Sequence, residues 1–393
     1  MLVTLATRTF TPEPTAAALR LGALARALAA GGDRVRVLTS RLAPSVARDA
    51  RQLADGGVDP GEGRGLVEVR RAPVLRDRTG AVRGYVSYMS FDVPLVARLL
   101  TGPRPDAVVS EPPPTTGAAV RIACAVRRVP YVYYCADIVS DAAALAGVPG
   151  FVVRTVAGLE SFALRGAHRV IAVSDGVARR ARDLGARDVA VVPNGVRVPD
   201  AVAAGIPEGF PACDGPVFVY AGTVAQWLAP EVFVDAFECA RARLGDARLV
   251  FVGQGSGWDA LAERSRGVAG VEMIPAVSAE EADRWMARAT ATLASLRPGG
   301  YDYAYPTKIL ASLAQGTPVI YAGPGQAARD VAEAGLGVVC SLDADEIAEA
   351  MVALASGTTA WAGAEGARAW VRTHRSVEAS SRSAAAVVRL ALS

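Results

Sequence analysis

The sequence predicts an α/β protein built from two Rossmann-like halves, each a parallel sheet covered by helices on both faces. Three observations lead there. Short strand-like runs are apolar throughout instead of alternating, which is the pattern of strands buried on both faces. Those runs alternate with amphipathic stretches that carry apolar residues at helical spacing. The whole pattern then occurs twice, on either side of a stretch rich in proline, glycine and alanine.

In the first half, strands are expected at 2–6, 35–39, 107–110, 131–135, 169–173 and 189–192, with helical spacing at 16–30 and 117–127. The second half offers strands at 217–221, 249–253, 271–274, 291–295, 318–321 and 337–340, and a helix over 231–243. A terminal helix is expected at 377–392. The domains are therefore placed at 1–198 and 216–376, with 199–215 as a linker. Two such halves leave a ligand cleft between them, at the carboxyl ends of both sheets. No short repeat or low-complexity tract interrupts them.

Composition narrows the class. Of 393 residues, 51% are hydrophobic and 21% charged, which marks a globular chain and excludes a disordered one. No uninterrupted apolar run reaches the ~18 residues of a membrane span. The opening Met1-Leu2-Val3-Thr4-Leu5-Ala6 lacks the basic region and cleavage site of a signal peptide and reads as a buried strand. Five scattered cysteines without a C-x-x-C pair, beside only two histidines, predict neither a zinc site nor a disulfide framework. They point to a reducing cytoplasm.

Charge is unevenly spread. Residues 1–200 hold 27 Arg against 18 Asp and Glu, a balance of +9, and residues 201–393 hold 15 Lys and Arg against 21, a balance of −6. A basic first half fits an anionic partner, either a phosphorylated acceptor or a membrane surface touched peripherally from the cytoplasmic side. Compositional drift in an arginine-rich proteome gives the same asymmetry. A sharper fact is that 41 arginines accompany a single lysine, Lys308. Where a surface cation suffices this sequence uses arginine, so the lone lysine marks a site that needs a compact ammonium on a slim stem.

Six stretches then carry a resemblance. Thr11-Pro12-Glu13-Pro14-Thr15-Ala16-Ala17-Ala18-Leu19-Arg20 opens the first half. Arg169-Val170-Ile171-Ala172-Val173-Ser174 and Val191-Val192-Pro193-Asn194-Gly195-Val196 close it. Val219-Tyr220-Ala221-Gly222-Thr223 begins the second. Tyr305-Pro306-Thr307-Lys308, with Leu313-Ala314-Gln315-Gly316-Thr317-Pro318-Val319-Ile320, supplies a helix and the strand that follows it. In order and spacing these resemble the family-4 glycosyltransferases that build bacterial polysaccharides, most closely their amino-sugar transferase subgroup. The resemblance spans nearly the whole chain. It implies a GT-B fold and transfer from a nucleotide-diphosphate sugar with retention of anomeric configuration. It also implies that no metal and no further cofactor take part, and that the terminal helix, 377–393, crosses back onto the first domain.

The resemblance also implies roles for particular residues. Lys308, beside the helix-opening Thr307, adds its ammonium to the helix dipole against a departing diphosphate. The loop ending in Thr15 and Ala16 brings backbone N–H groups to a phosphate, although Thr15 also reads as an ordinary helix cap. Gly222 and Thr223 follow a strand where many relatives place an arginine after the glycine, so Arg297 becomes the candidate for the second cation. Asp137, just past a strand, orients a donor hydroxyl or accepts the acceptor's proton, and a cap for the next helix is its plain alternative. Relatives place a His or Arg where this chain has Ala136. The family's Glu-x7-Glu pair, one member of which grips the nucleotide ribose, falls on Tyr303 and Ala311 here, leaving Asp302 or Ser312 as substitutes. Gly253 and Ala276 stand in loops that touch the base in relatives.

Other classes fit less well. Gly253-Gln254-Gly255-Ser256-Gly257 lacks the G-x-G-x-x-G spacing of a dinucleotide site. Ser174-Asp175-Gly176 is not a hydrolase elbow, His168 and His374 read as structural, and nothing interleaves aromatic with basic residues as nucleic-acid binding requires. Two alternatives to a transferase remain: a catalytically silent GT-B partner of an active enzyme, favoured by the missing Glu pair, and a sugar-nucleotide epimerase of the same fold.

Overall fold

The computed structural model describes residues 1–13, 15–43, 46–47, 66–76, 82, 84–145, 147–299 and 303–391. The chain divides into two compact units, Met1–Gly195 with Val377–Ser393, and Val196–Ser376.

The first unit carries seven parallel strands among its described residues: β1 (Leu2–Ala6), β2 (Arg34–Ser40), β3 (Val67–Ala72), β4 (Ala107–Ser110), β5 (Tyr131–Cys135), β6 (Arg169–Ala172) and β7 (Val189–Val191). Their order is β3-β2-β1-β4-β5-β6-β7. The strand β3 had no counterpart in the apolar pattern, because Val-Glu-Val-Arg-Arg-Ala alternates and lies at the sheet edge. Its register sets Glu68 beside Arg36 of β2, and the two form a cross-strand ion pair at 2.9 Å. Helices α1 (Ala16–Ala30), α2 (Tyr85–Thr101), α3 (Pro114–Arg127), α4 (Val139–Leu145), α5 (Gly150–Gly166) and α6 (Asp175–Asp183) connect the strands. The helix expected from 117 starts three residues earlier, since Pro114 occupies the first turn, where its missing N–H costs nothing.

The second unit holds a six-stranded parallel sheet in the order β10-β9-β8-β11-β12-β13. Its strands are β8 (Val217–Thr223), β9 (Arg248–Gln254), β10 (Val271–Pro275), β11 (Ala291–Ser295), β12 (Val319–Ala322) and β13 (Gly337–Cys340). Between and after them run α7 (Val232–Leu244), α8 (Trp258–Ser265), α9 (Ala279–Arg288), α10 (Thr307–Ala314), α11 (Gln326–Glu333), α12 (Ala344–Ala355) and α13 (Gly363–His374). The unbroken apolar strands are explained by cores on both faces. Phe218 and Tyr220 of β8 pack with Phe233, Phe237 and Phe251 on one side. The intervening Val217, Val219 and Ala221 pack with Trp285 and Met286 on the other.

The segment 199–215, expected as a linker, belongs to this second unit. Its start is tied down by the buried Arg368, which donates to the carbonyls of Pro199 and Ala314 at 2.8 Å each and of Asp200 at 3.1 Å. The terminal helix α14 (Val377–Leu390) returns to the first unit. Ala384, Ala385 and Val388 join the core formed by Val3, Leu5, Leu24 and Leu28, and Arg389 donates to Asp33 at 2.9 Å.

Candidate active site

In a doubly wound sheet, the loops after the two central strands leave in opposite directions, and the crevice between them receives ligands. In the second unit that point lies between β8 and β11. Lys308, on the first turn of α10, reaches it. Its Nζ stands 3.3 Å from the Thr223 carbonyl oxygen at the end of β8 and 3.3 Å from the Tyr220 ring centroid. The Tyr220 hydroxyl donates to the same carbonyl at 2.9 Å. Among the described residues no carboxylate pairs with this ammonium, and burial holds its pKa well below the ordinary lysine value. The side chain keeps part of its surface open to solvent. Among the described residues, the contacts of this cation are thus a ring face and a carbonyl oxygen and not a carboxylate.

The residues around Lys308 are fixed by backbone geometry. Gly222 adopts φ +124°, which L side chains rarely adopt, and a Cβ there would lie 3.6 Å from Lys308 Cε. Gly253 owes its identity to packing: a Cβ would come within 2.0 Å of the Gly222 carbonyl oxygen where β8 and β9 run together. Thr223, Thr307 and Ala276 are exposed, the last in the loop after the edge strand β10. Pro306 precedes α10 and no side chain caps that helix start.

Two expectations for this unit need correction. Arg297 is not a free second cation, because it is paired with Glu231 at 2.8 Å and donates to the Gln226 carbonyl at 3.4 Å. Ser312 does not reach a ligand, because it is fully buried. Its hydroxyl accepts from Thr292 at 2.5 Å and donates to the Thr317 carbonyl at 3.0 Å, so it braces α10 against β11. Tyr303 and Ala311 are half-buried, Ala311 against the Trp285 core, and Asp302 lies outside the described residues.

In the first unit, Asp137 is exposed just beyond β5. Thr15 caps α1, its hydroxyl accepting from the Ala18 N–H at 3.1 Å, and Ala16 is exposed on the first turn. Sequence reasoning passed over the groups at this sheet's own reversal point, between β1 and β4. Glu111, directly after β4, is buried and forms an ion pair with Arg20 at 3.0 Å while accepting from the Thr7 hydroxyl at 3.0 Å. Burial outweighs Arg20 and holds its pKa above the usual carboxylate range. Arg20 also donates to Asn194 at 3.4 Å, which gives the Pro193-Asn194-Gly195 motif a structural role.

Arg8, two residues past β1, is only 8% exposed, and its guanidinium stacks 3.7 Å above the Tyr88 ring centroid. Its Nη1 has no hydrogen-bond partner, and no carboxylate lies within ion-pair distance among the described residues. Buried Asp92 acts on it only from further away, and burial lowers the Arg8 pKa. One Oδ of Asp92 is likewise without a partner. The available signal was position: polar residues immediately after central strands, Thr7-Arg8 and Glu111, stand where the crevice opens.

Residues 15–195 match the glycosyl transferase 4-like domain, and residues 215–356 match the glycosyl transferases group 1 domain. No curated protein matches the chain. Among solved structures, HepE of Anabaena in complex with UDP-glucose aligns with a TM-score of 0.66 at 16% identity, covering 98% of each chain. Sucrose-phosphate synthase of Thermosynechococcus elongatus aligns with a TM-score of 0.68 at 16% identity, over 99% of this chain and 98% of that one. WaaG, a glycosyltransferase involved in lipopolysaccharide biosynthesis, aligns with a TM-score of 0.65 at 16% identity, over 98% and 99%. Two domain matches in tandem, on two parallel-sheet Rossmann-like units, make this chain a glycosyltransferase of the GT-B fold.

Proposed function

We propose that the protein moves a sugar from a nucleoside-diphosphate donor to a glycan, lipid-linked or small-molecule acceptor, with retention of anomeric configuration and without a metal. The observation that carries this reading is the uncompensated Lys308 ammonium at the reversal point of the second sheet. As the glycosidic bond breaks, negative charge grows on the leaving diphosphate. An ammonium already held in place, partly desolvated and with no carboxylate in contact among the described residues, meets that charge with little reorganisation. Each charge-assisted hydrogen bond it makes contributes about 1.5–3 kcal/mol. The uncapped start of α10 adds backbone N–H donors and the positive end of the helix dipole. Asp137 is our candidate for positioning the reacting hydroxyl. A uridine donor is the first to test, since HepE was solved with UDP-glucose.

A catalytically silent partner protein is the second reading, favoured by Tyr303 and Ala311 standing where relatives carry the ribose-binding Glu pair. Incubation with labelled nucleotide sugars and a mixture of glycan and lipid-linked acceptors separates the two. Transfer that persists in EDTA and disappears in Lys308→Met supports the enzyme, and donor binding without turnover supports the silent partner.

A further inference from the structure

A buried arginine makes a stricter demand than a buried lysine. It keeps its proton at any ordinary pH and so must find acceptors for its five N–H groups. Among the described residues three arginines are buried: Arg8, Arg368 and Arg375. Arg368 donates to three carbonyls, and Arg375 pairs with the buried Asp330. Arg8 donates to no carbonyl and no carboxylate among the described residues. Its guanidinium lies on the Tyr88 ring, and Nη1 has no partner. Of the three, it is the one whose charge the fold leaves unmet, and an unmet buried charge is costly.

Arg8 is nonetheless held still. Its carbonyl accepts from the buried Ser40 hydroxyl at 2.7 Å, and Tyr88 supports the plane of the fork from α2. Asp92 lies one turn further along that helix. One of its Oδ atoms accepts from the Thr116 hydroxyl at 2.6 Å, and the other has no partner. Glu111, which also acts on Arg8 from a distance, is already engaged by Arg20 and Thr7. These groups gather at the reversal point of the first sheet, where a doubly wound unit receives ligands. A planar guanidinium fork without a counter-ion matches a carboxylate or a phosphate. An open carboxylate oxygen nearby matches a hydroxyl. Together they describe a sugar that bears an oxyanion.

We propose that Arg8 sets acceptor specificity by binding the oxyanion of an acidic sugar, with Asp92 accepting a hydrogen bond from a neighbouring hydroxyl. That the ligand is an acceptor rests on the transferase reading; that an oxyanion binds at Arg8 does not. The test is calorimetric titration of the full chain with glucose 6-phosphate, glucuronate and glucose, repeated on Lys308→Met to recognise any anion held by the second unit. The native protein and Lys308→Met should both bind at least one of the two acids about tenfold or more tighter than glucose. Which acid binds distinguishes a phosphate from a carboxylate. Arg8→Gln should lose that preference while melting no lower than the native protein, because an unmet buried charge has been removed. Arg8→Lys, which keeps the charge without the planar fork, should weaken the preference. The proposal is overturned if neither acid binds better than glucose, as when water alone bridges Arg8 and Asp92. An unchanged preference in either Arg8 variant, or its disappearance in Lys308→Met, also overturns it. So does a lower melting temperature in Arg8→Gln with anion binding intact, since Arg8 would then serve the fold alone. UDP binding that ignores Lys308 would sink the donor reading and leave this result untouched, so the two fail separately.

Discussion

Lys308 and Arg8 share a physical condition that ordinary surface cations lack: each sits where the strand order of its own sheet reverses, and neither has a carboxylate in contact among the described residues. An unpaired, partly desolvated charge weakens the ligand-free fold, so removing it should help stability while harming binding. Lys308→Met is expected to raise the melting temperature of the ligand-free protein by about 2–4 °C, as differential scanning calorimetry would show. The pH dependence has a definite sign. Because the folded-state pKa is lowered, the penalty of holding the charged amine disappears as pH rises through that value toward the ordinary lysine range, and ligand-free stability gains. UDP affinity should fall across the same window, and binding above the lowered pKa should take up a proton. Titrations in buffers of different ionisation enthalpy would detect that uptake. Glu111 presents the opposite case, a buried charge with its partner in place. Glu111→Ala should cost about 3–5 kcal/mol in urea unfolding, because Arg20 is then left buried and unpaired. Lys308 stood out in the sequence by its uniqueness and its motif position, and the structure sets its ammonium against the carbonyl at the end of β8. Arg297 and Ser312 were misread because a sequence does not show what an arginine is paired with, or which way a helical serine points.

Elements were far easier to read than side chains. Wherever a strand is buried on both faces its run is continuously apolar, and the expected bounds came within two residues of the observed ones, as at β1, β5 and β11. β3 escaped because its solvent-facing positions hold Glu68 and Arg70. The role of 199–215 was misjudged because proline and glycine mark irregular chain but do not reveal that Arg368 fastens it to the second unit. Two tests belong to this scale. Gly222→Ala should destabilise by about 1–2 kcal/mol in chemical denaturation, since φ +124° suits glycine alone. Val388→Asp should cost about 3 kcal/mol or more, by placing an unpaired charge in the core that α14 shares with α1.

At the level of the molecule, the same architecture is used twice with different electrostatics. The first unit's reversal point holds the Arg20–Glu111 ion pair and, apart from it, the buried Arg8, and the second's holds a single ammonium beside a glycine-shaped strand end. The first half is basic and the second acidic, with balances of +9 over residues 1–200 and −6 over residues 201–393. Calorimetric titration of UDP into the native protein and into Lys308→Met, both in EDTA, tests the central claim most directly. The account predicts saturable, metal-free binding by the native protein and an affinity about 10–100-fold weaker in the variant. Equal affinity in the two, or native binding that vanishes with the chelator, would contradict it.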